Sequence, residues 1–199
     1  MIKINLVYID DGPEPSLARY LDSEYHNSEA EIHYSDIIFE PGDGYERLLY
    51  DPKVQSANII IVDSWLFENK TASAGKFTGE EFKLVLKKFY PFIEVIVITQ
   101  NGTDANVQKI EKYNPTSGKT STKHYEEKLS PFIDEAIQNI IQYQFLSQKL
   151  SDNESWETVL KEKVLDTLSG TQRYDELSKT DINNLIAAFK EIQESLDGK

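Results

Sequence analysis

Three apolar runs end on residues that can do chemistry. LVYIDDG (6–12) carries Asp10 and Asp11 at its tip, NIIIVDSW (58–65) carries Asp63, and EVIVITQNG (94–102) carries Thr99. A fourth segment, KHYEEKL (123–129), ends near Lys128. In open parallel α/β sheets, ligands collect outside the carboxyl ends of the strands, so these tips are expected to converge. Three converging carboxylates each raise the cost of ionising the others unless a cation offsets them. An oxygen-only set suits Mg²⁺, which takes one or two carboxylates and keeps several waters. Beside such an ion a carboxylate can attack phosphorus and form an acyl phosphate, with the metal offsetting charge on the transferring group. A hydroxyl and an ammonium would bind the phosphoryl oxygens, the roles open to Thr99 and Lys128.

The elements that must position these residues follow from pattern. MIKINLVYI, NIIIV and EVIVI are short apolar runs rich in β-branched residues, as expected of strands buried on both faces. EIHYSDIIF reads as a further strand, closed by the turn residues PGDG, and KHYEEKL as a weak fifth one. Between them, SLARYLDSEY, YERLLY, GEEFKLVLKKFY and TDANVQKIEKY read as helices, with ENKTASAGKFTG and YNPTSGKTSTK as loops. SPFIDEAIQNIIQYQFLSQKL is a long helix with Ser130 at its N-cap and Pro131 in its first turn. The order β-α-β-α-β-α-β-α-β-α implies a mostly parallel sheet covered on both faces, a doubly wound α/β fold. From about residue 151, SWETVLKEKVLDTL and SKTDINNLIAAFKEIQESL read as amphipathic helices without strand signal. The division is therefore an α/β domain over 1–150 and a helical extension over 151–199, whose apolar faces need a partner: the α/β domain, another protein or a second copy of the chain.

Composition narrows the classes. A formal charge of −13 argues against nucleic acid or anionic membrane as a partner recognised through the overall field. There are no cysteines, which excludes disulfides, thiolate metal sites and cysteine nucleophiles. The chain opens straight into an apolar strand without a long h-region, and runs such as IIIV are too short to cross a bilayer. A soluble cytoplasmic protein is the expectation.

Read together, these segments resemble the response-regulator receiver (CheY-like) domain of two-component signalling, over about residues 1–145. LVYIDDG matches the acidic pair, GYERLLYDPKVQSANIIIVDSW the helix and strand leading to the phosphoacceptor, VIVITQ the threonine strand, and HYEEKLSP the lysine segment. The resemblance implies a flavodoxin-like five-stranded parallel sheet of order 2-1-3-4-5. It implies that Asp63 accepts a phosphoryl group and that Mg²⁺ is held by Asp10, Asp11, Asp63 and the backbone carbonyl of Trp65. Thr99 and Lys128 would contact the phosphoryl group, and Thr99 and Tyr125, three before the lysine, would form the switch. Lys119 and Lys123 are rival candidates for the lysine. The implied partner is a histidine kinase or phosphotransfer protein, and no conventional turnover enzyme is implied. The chain departs from the pattern at Gln100 and Trp65, which are large beside the acceptor, and at Lys128-Leu129, where Lys-Pro is usual. Both intervals, Asp63 to Thr99 and Thr99 to Lys128, are long, so each is expected to carry an insertion.

Other readings stand beside this one. A degenerate receiver that is never phosphorylated and serves as an interaction or dimerisation scaffold is the alternative. A Mg²⁺-dependent phosphohydrolase would need a separate acid/base group that the sequence does not show. SGKTST (117–122) is like the end of a phosphate-binding loop, but Tyr113 stands where that loop needs glycine, and a solvated loop is the better account. His124 is expected in a loop.

Overall fold

The computed structural model describes residues 1–40, 45–66, 78–100, 109–152 and 164–165. Five strands, β1 (Ile2–Asp10), β2 (Ala30–Ile38), β3 (Ile59–Asp63), β4 (Glu94–Thr99) and β5 (Ile110–Glu111), form one parallel sheet of order β2-β1-β3-β4-β5. This is the flavodoxin-like doubly wound order. The helices are α1 (Pro15–Arg19), α2 (Tyr45–Leu49), α3 (Pro52–Gln55), α4 (Gly79–Phe89), α5 (Ser121–Lys128) and α6 (Ser130–Ser151). After α1 the chain widens for one turn over Tyr20–Glu24, where the Tyr25 N–H reaches the Tyr20 carbonyl at 2.8 Å.

The β-branched runs alternate between two cores. Ile4, Leu6 and Tyr8 of β1, Ile59 and Ile61 of β3, and Ile96 and Ile98 of β4 pack on Leu17, Tyr20, Tyr125, Ile133 and Ile137. Val7, Ile9, Ile60, Val62, Val95 and Val97 pack on Leu48, Val54, Phe82 and Leu86. Both faces of the sheet are therefore buried, which is why these strands read as unbroken apolar runs rather than alternating ones.

Helix α4 starts at a complete capping box: the Thr78 hydroxyl accepts from the Glu81 N–H, and the Glu81 carboxylate accepts from the Thr78 N–H. Its first residue, Gly79, lies against the end of β3. A Cβ placed there would come within 2.3 Å of the Asp63 carbonyl oxygen, so only glycine lets this helix start so close to the strand tip.

Two elements differ from expectation. The fifth strand is Ile110–Glu111, inside the segment TDANVQKIEKY read as helix, of which residues 103–108 lie outside the described residues. KHYEEKL is not a strand but most of α5, capped by the Thr120 hydroxyl on the Lys123 N–H. The physical reason is burial: α5 needs only one buried face, which His124 and Tyr125 supply with Leu129 just after it, while Lys123, Glu126, Glu127 and Lys128 are exposed. His124 is thus a helical residue, and its Nε2 meets the Glu111 carbonyl at 2.8 Å. Apart from Ser151, Asp152, Val164 and Leu165, the helical extension over 151–199 lies outside the described residues, as do ENKTASAGK and PGDG. No helix among the described residues is long and apolar enough to cross a membrane.

Candidate functional site

Alternation along the strands decides which side chains meet at the carboxyl edge. Tyr8 and Asp10 follow Ile4 and Leu6 on one face of β1, and Asp63 follows Ile59 and Ile61 on the same face of β3. The two strands are neighbours, with Ile9 opposite Val62, so Asp10 and Asp63 come together at the sheet's end. Carboxylate oxygens of Asp10, Asp11 and Asp63 lie within 4.8 Å of one another. Asp10 is 1% exposed and Asp63 4%, while Asp11 is exposed.

A lysine joins them, and it is not Lys128. Lys112, immediately after β5, places its ammonium 2.7 Å from Asp10 Oδ2 and 2.8 Å from Asp63 Oδ1. Its backbone N–H donates to the Thr99 carbonyl at 2.8 Å, which anchors the chain where the side chain departs. Lys128 stands in the last turn of α5, and Lys119 pairs with Glu127 on the surface, so neither these nor Lys123, in α5, bridges the two carboxylates. Tyr125 is correspondingly displaced from the role expected of it. It is fully buried in α5, donates to Glu14 Oε2 at 2.5 Å and accepts from the Tyr113 N–H at 3.0 Å. The residue three before Lys112 is Lys109, which pairs with Glu80 of α4; both Glu80 oxygens also accept from the Ser64 hydroxyl, at 2.8 and 2.9 Å.

The remaining expected residues are placed as follows. Thr99, fully buried at the end of β4, falls with Val95 and Val97 in the strand's alternation. Trp65 sits in the turn after β3; its N–H donates to Asp63 Oδ2 at 3.0 Å, and the residue is 45% exposed. Gln100 is exposed and lines, with Glu14, Ser16, Lys112, Tyr113 and Asn114, a cleft of about 610 Å³ beside the acidic cluster.

Electrostatics separate the three carboxylates. Burial pushes Asp10 up, but hydrogen bonds from Lys112, the Tyr8 hydroxyl and the Gly12 N–H outweigh it and hold this carboxyl below its usual range. Asp63 is held above it: burial dominates, Lys112 compensates only in part, and the Asp10 charge adds to the rise. Asp11 is also raised, by burial and by the neighbouring Asp10 charge. Burial lowers Lys112, but its two carboxylate partners more than reverse that, so its ammonium is retained.

The residues fit a divalent cation on the chemistry of the donor set. The Lys112 ammonium contacts two of the three carboxylates, Asp10 and Asp63, and Asp11 and Asp63 sit above their usual range, first through burial and then through the Asp10 charge. A hard, oxygen-seeking dication would supply compensating positive charge.

No protein-family model matches the sequence, and no curated protein matches it. Two of the solved structures that are similar to this chain are the following. One, titled a two component transcriptional regulator AraC from Clostridium phytofermentans ISDg, is 16% identical with a TM-score of 0.41, over 72% of this chain and 98% of that one. The other, the two-component response regulator RcsB in complex with DNA, is 15% identical with a TM-score of 0.35, over 85% of this chain and 93% of that one. Its own strand order gives the chain the flavodoxin-like doubly wound fold, with an acidic cluster and a lysine at the carboxyl edge of the sheet.

Proposed function

We propose that the chain is a phosphoacceptor module of a two-component phosphorelay, with Asp63 as the acceptor. The observation that carries this reading is the convergence of Asp10, Asp11 and Asp63 within 4.8 Å, spanned by the Lys112 ammonium. A carboxylate oxygen of Asp63 would attack phosphorus, forming a P–O bond as the P–N bond of a donor phosphohistidine breaks; the departing imidazole nitrogen takes up a proton. Asp10, Asp11, Asp63 and the Trp65 carbonyl would hold Mg²⁺, which when bound supplies charge compensation for the transferring phosphoryl group. Lys112, rather than Lys128, would follow the phosphoryl oxygens as an ammonium. Thr99 would contact the same group and shift the balance between two conformations. The donor would be a histidine kinase or phosphotransfer protein, and the output a protein contact, through this face or through the segment after residue 151. A second copy of the chain is one candidate for that contact. The acidic chain, at −13, favours neither nucleic acid nor an anionic membrane as partner, and a cytoplasmic setting suits the relay.

A second reading has its own support. Lys112 already spans two of the carboxylates, so an unphosphorylated receiver acting as a scaffold would be electrostatically self-consistent. Incubation with Mg²⁺ and a small phosphodonor, read by intact-protein mass spectrometry, separates the two. One added phosphoryl group, absent in Asp63→Asn, supports the phosphoacceptor. No addition, while an ordinary receiver reacts in parallel, supports the scaffold.

A further inference from the structure

Asp10 Oδ2 receives two donors at once. One is the Lys112 ammonium at 2.7 Å, and the other is the hydroxyl of Tyr8, two residues earlier on the same face of β1. Asp10 Oδ1 accepts from the Gly12 N–H at 2.9 Å. Tyr8 is fully buried, so its hydroxyl has no water to exchange with, and it lies in the core opposite Ile61 of β3. The Tyr8 oxygen in turn accepts from the Glu14 N–H at 3.4 Å, in the turn before α1. The two donors on Oδ2 differ in kind. Lys112 is shared with Asp63 and carries a charge that a cation would compete with, whereas Tyr8 is neutral and serves Asp10 alone among the acidic cluster.

We propose that Tyr8 is a positioning residue: it fixes the Asp10 carboxylate in the orientation that receives the divalent cation, so that Lys112 can leave Asp10 without the carboxylate turning away. The proposal rests on the phosphoacceptor reading and deepens it. Partners that orient a ligating carboxylate commonly change metal affinity 10–100-fold when removed. Lys112 alone cannot fill that role, since the entry of a dication removes the reason for the ammonium to stay on Oδ2.

The test is Mg²⁺ binding to the full chain by isothermal titration calorimetry, for the wild type, Tyr8→Phe and Tyr20→Phe, with thermal melts of each in EDTA. Tyr20 is a second buried tyrosine, whose hydroxyl meets Ser130 rather than the acidic cluster, and it controls for the loss of a buried hydroxyl. The expected result is a Kd for Mg²⁺ raised about 10-fold or more in Tyr8→Phe and unchanged in Tyr20→Phe. A Tyr8→Phe Kd equal to that of a wild type that does bind Mg²⁺ overturns the role of Tyr8 and leaves the phosphoacceptor reading standing. A wild type that binds no Mg²⁺ overturns both. Equal losses of affinity in both variants, tracking their melting temperatures, reduce Tyr8 to a core residue and overturn the proposal.

Discussion

Replacing Lys112 by methionine removes an ammonium that touches both Asp10 and Asp63 while keeping most of its buried stem. The side chain is 6% exposed, and its partners are 2% and 6% exposed, so solvent screens the interaction little. Removing one partner of a buried ion pair costs about 3–5 kcal/mol, because a desolvated charge is left without compensation. Here the penalty is reduced: Gly12, Tyr8 and Trp65 still donate to the two carboxylates, and Asp63, already held above its usual range, can take a proton. The expected loss is about 2–4 kcal/mol, read by urea unfolding at neutral pH in EDTA. It should shrink as the pH is lowered, since protonation removes the unpaired charge, and shrink again in millimolar Mg²⁺, since the dication takes the vacated place. Lys128→Met, Lys119→Met and Lys123→Met should each stay within about 0.5 kcal/mol, as surface changes do. A Lys112→Met protein as stable as the wild type, or a Lys128→Met protein that loses as much, would refute the assignment of the lysine.

Other substitutions probe the supports of the site. Gly79→Ala puts a methyl group 2.3 Å from the Asp63 carbonyl oxygen, against the Asp63–Ser64 backbone; it should cost about 1–3 kcal/mol in urea unfolding, where an ordinary helix-interior Gly→Ala would stabilise. Burial pushes Glu80 up, but Lys109 and Ser64 hold its carboxyl below the ordinary glutamate range, so its contribution is present above that range and is lost as the pH falls through the lower folded pKa. Glu80→Gln should therefore cost about 0.5 kcal/mol at pH 7 and progressively less as the pH falls into the acid range, measured as the difference between unfolding titrations at the two pH values.

How far the sequence could be read depended on burial. β1, β3 and β4 are covered on both faces, so IIIV and VIVI announce themselves, and Asp10, Asp63 and Thr99 follow as their last residues. β5 did not, because it is an edge of two residues, and Ile110 is its one buried side chain. Its lysine lay inside KIEKYNP, where the proline three residues on was a weak signal against continuing a helix. KHYEEKL drew the strand assignment that belonged to KIEK, although Thr120 before it is an N-cap signal. Tyr125 and Lys128 were carried along by that misplacement. Tyr8 and Gly79 could not be found by motif, since one matters through a bond to its own strand's end and the other through a contact between β3 and α4.

The central claim is that Asp63 accepts a phosphoryl group in a cation-supported site, and ¹⁹F NMR of the full chain with beryllium fluoride and Mg²⁺ tests it most directly. The expected result is bound fluoride resonances in slow exchange, dependent on Mg²⁺ and absent in Asp63→Asn and Asp10→Asn. A spectrum of free beryllofluoride alone, from a folded protein under conditions that label an ordinary receiver, would contradict it.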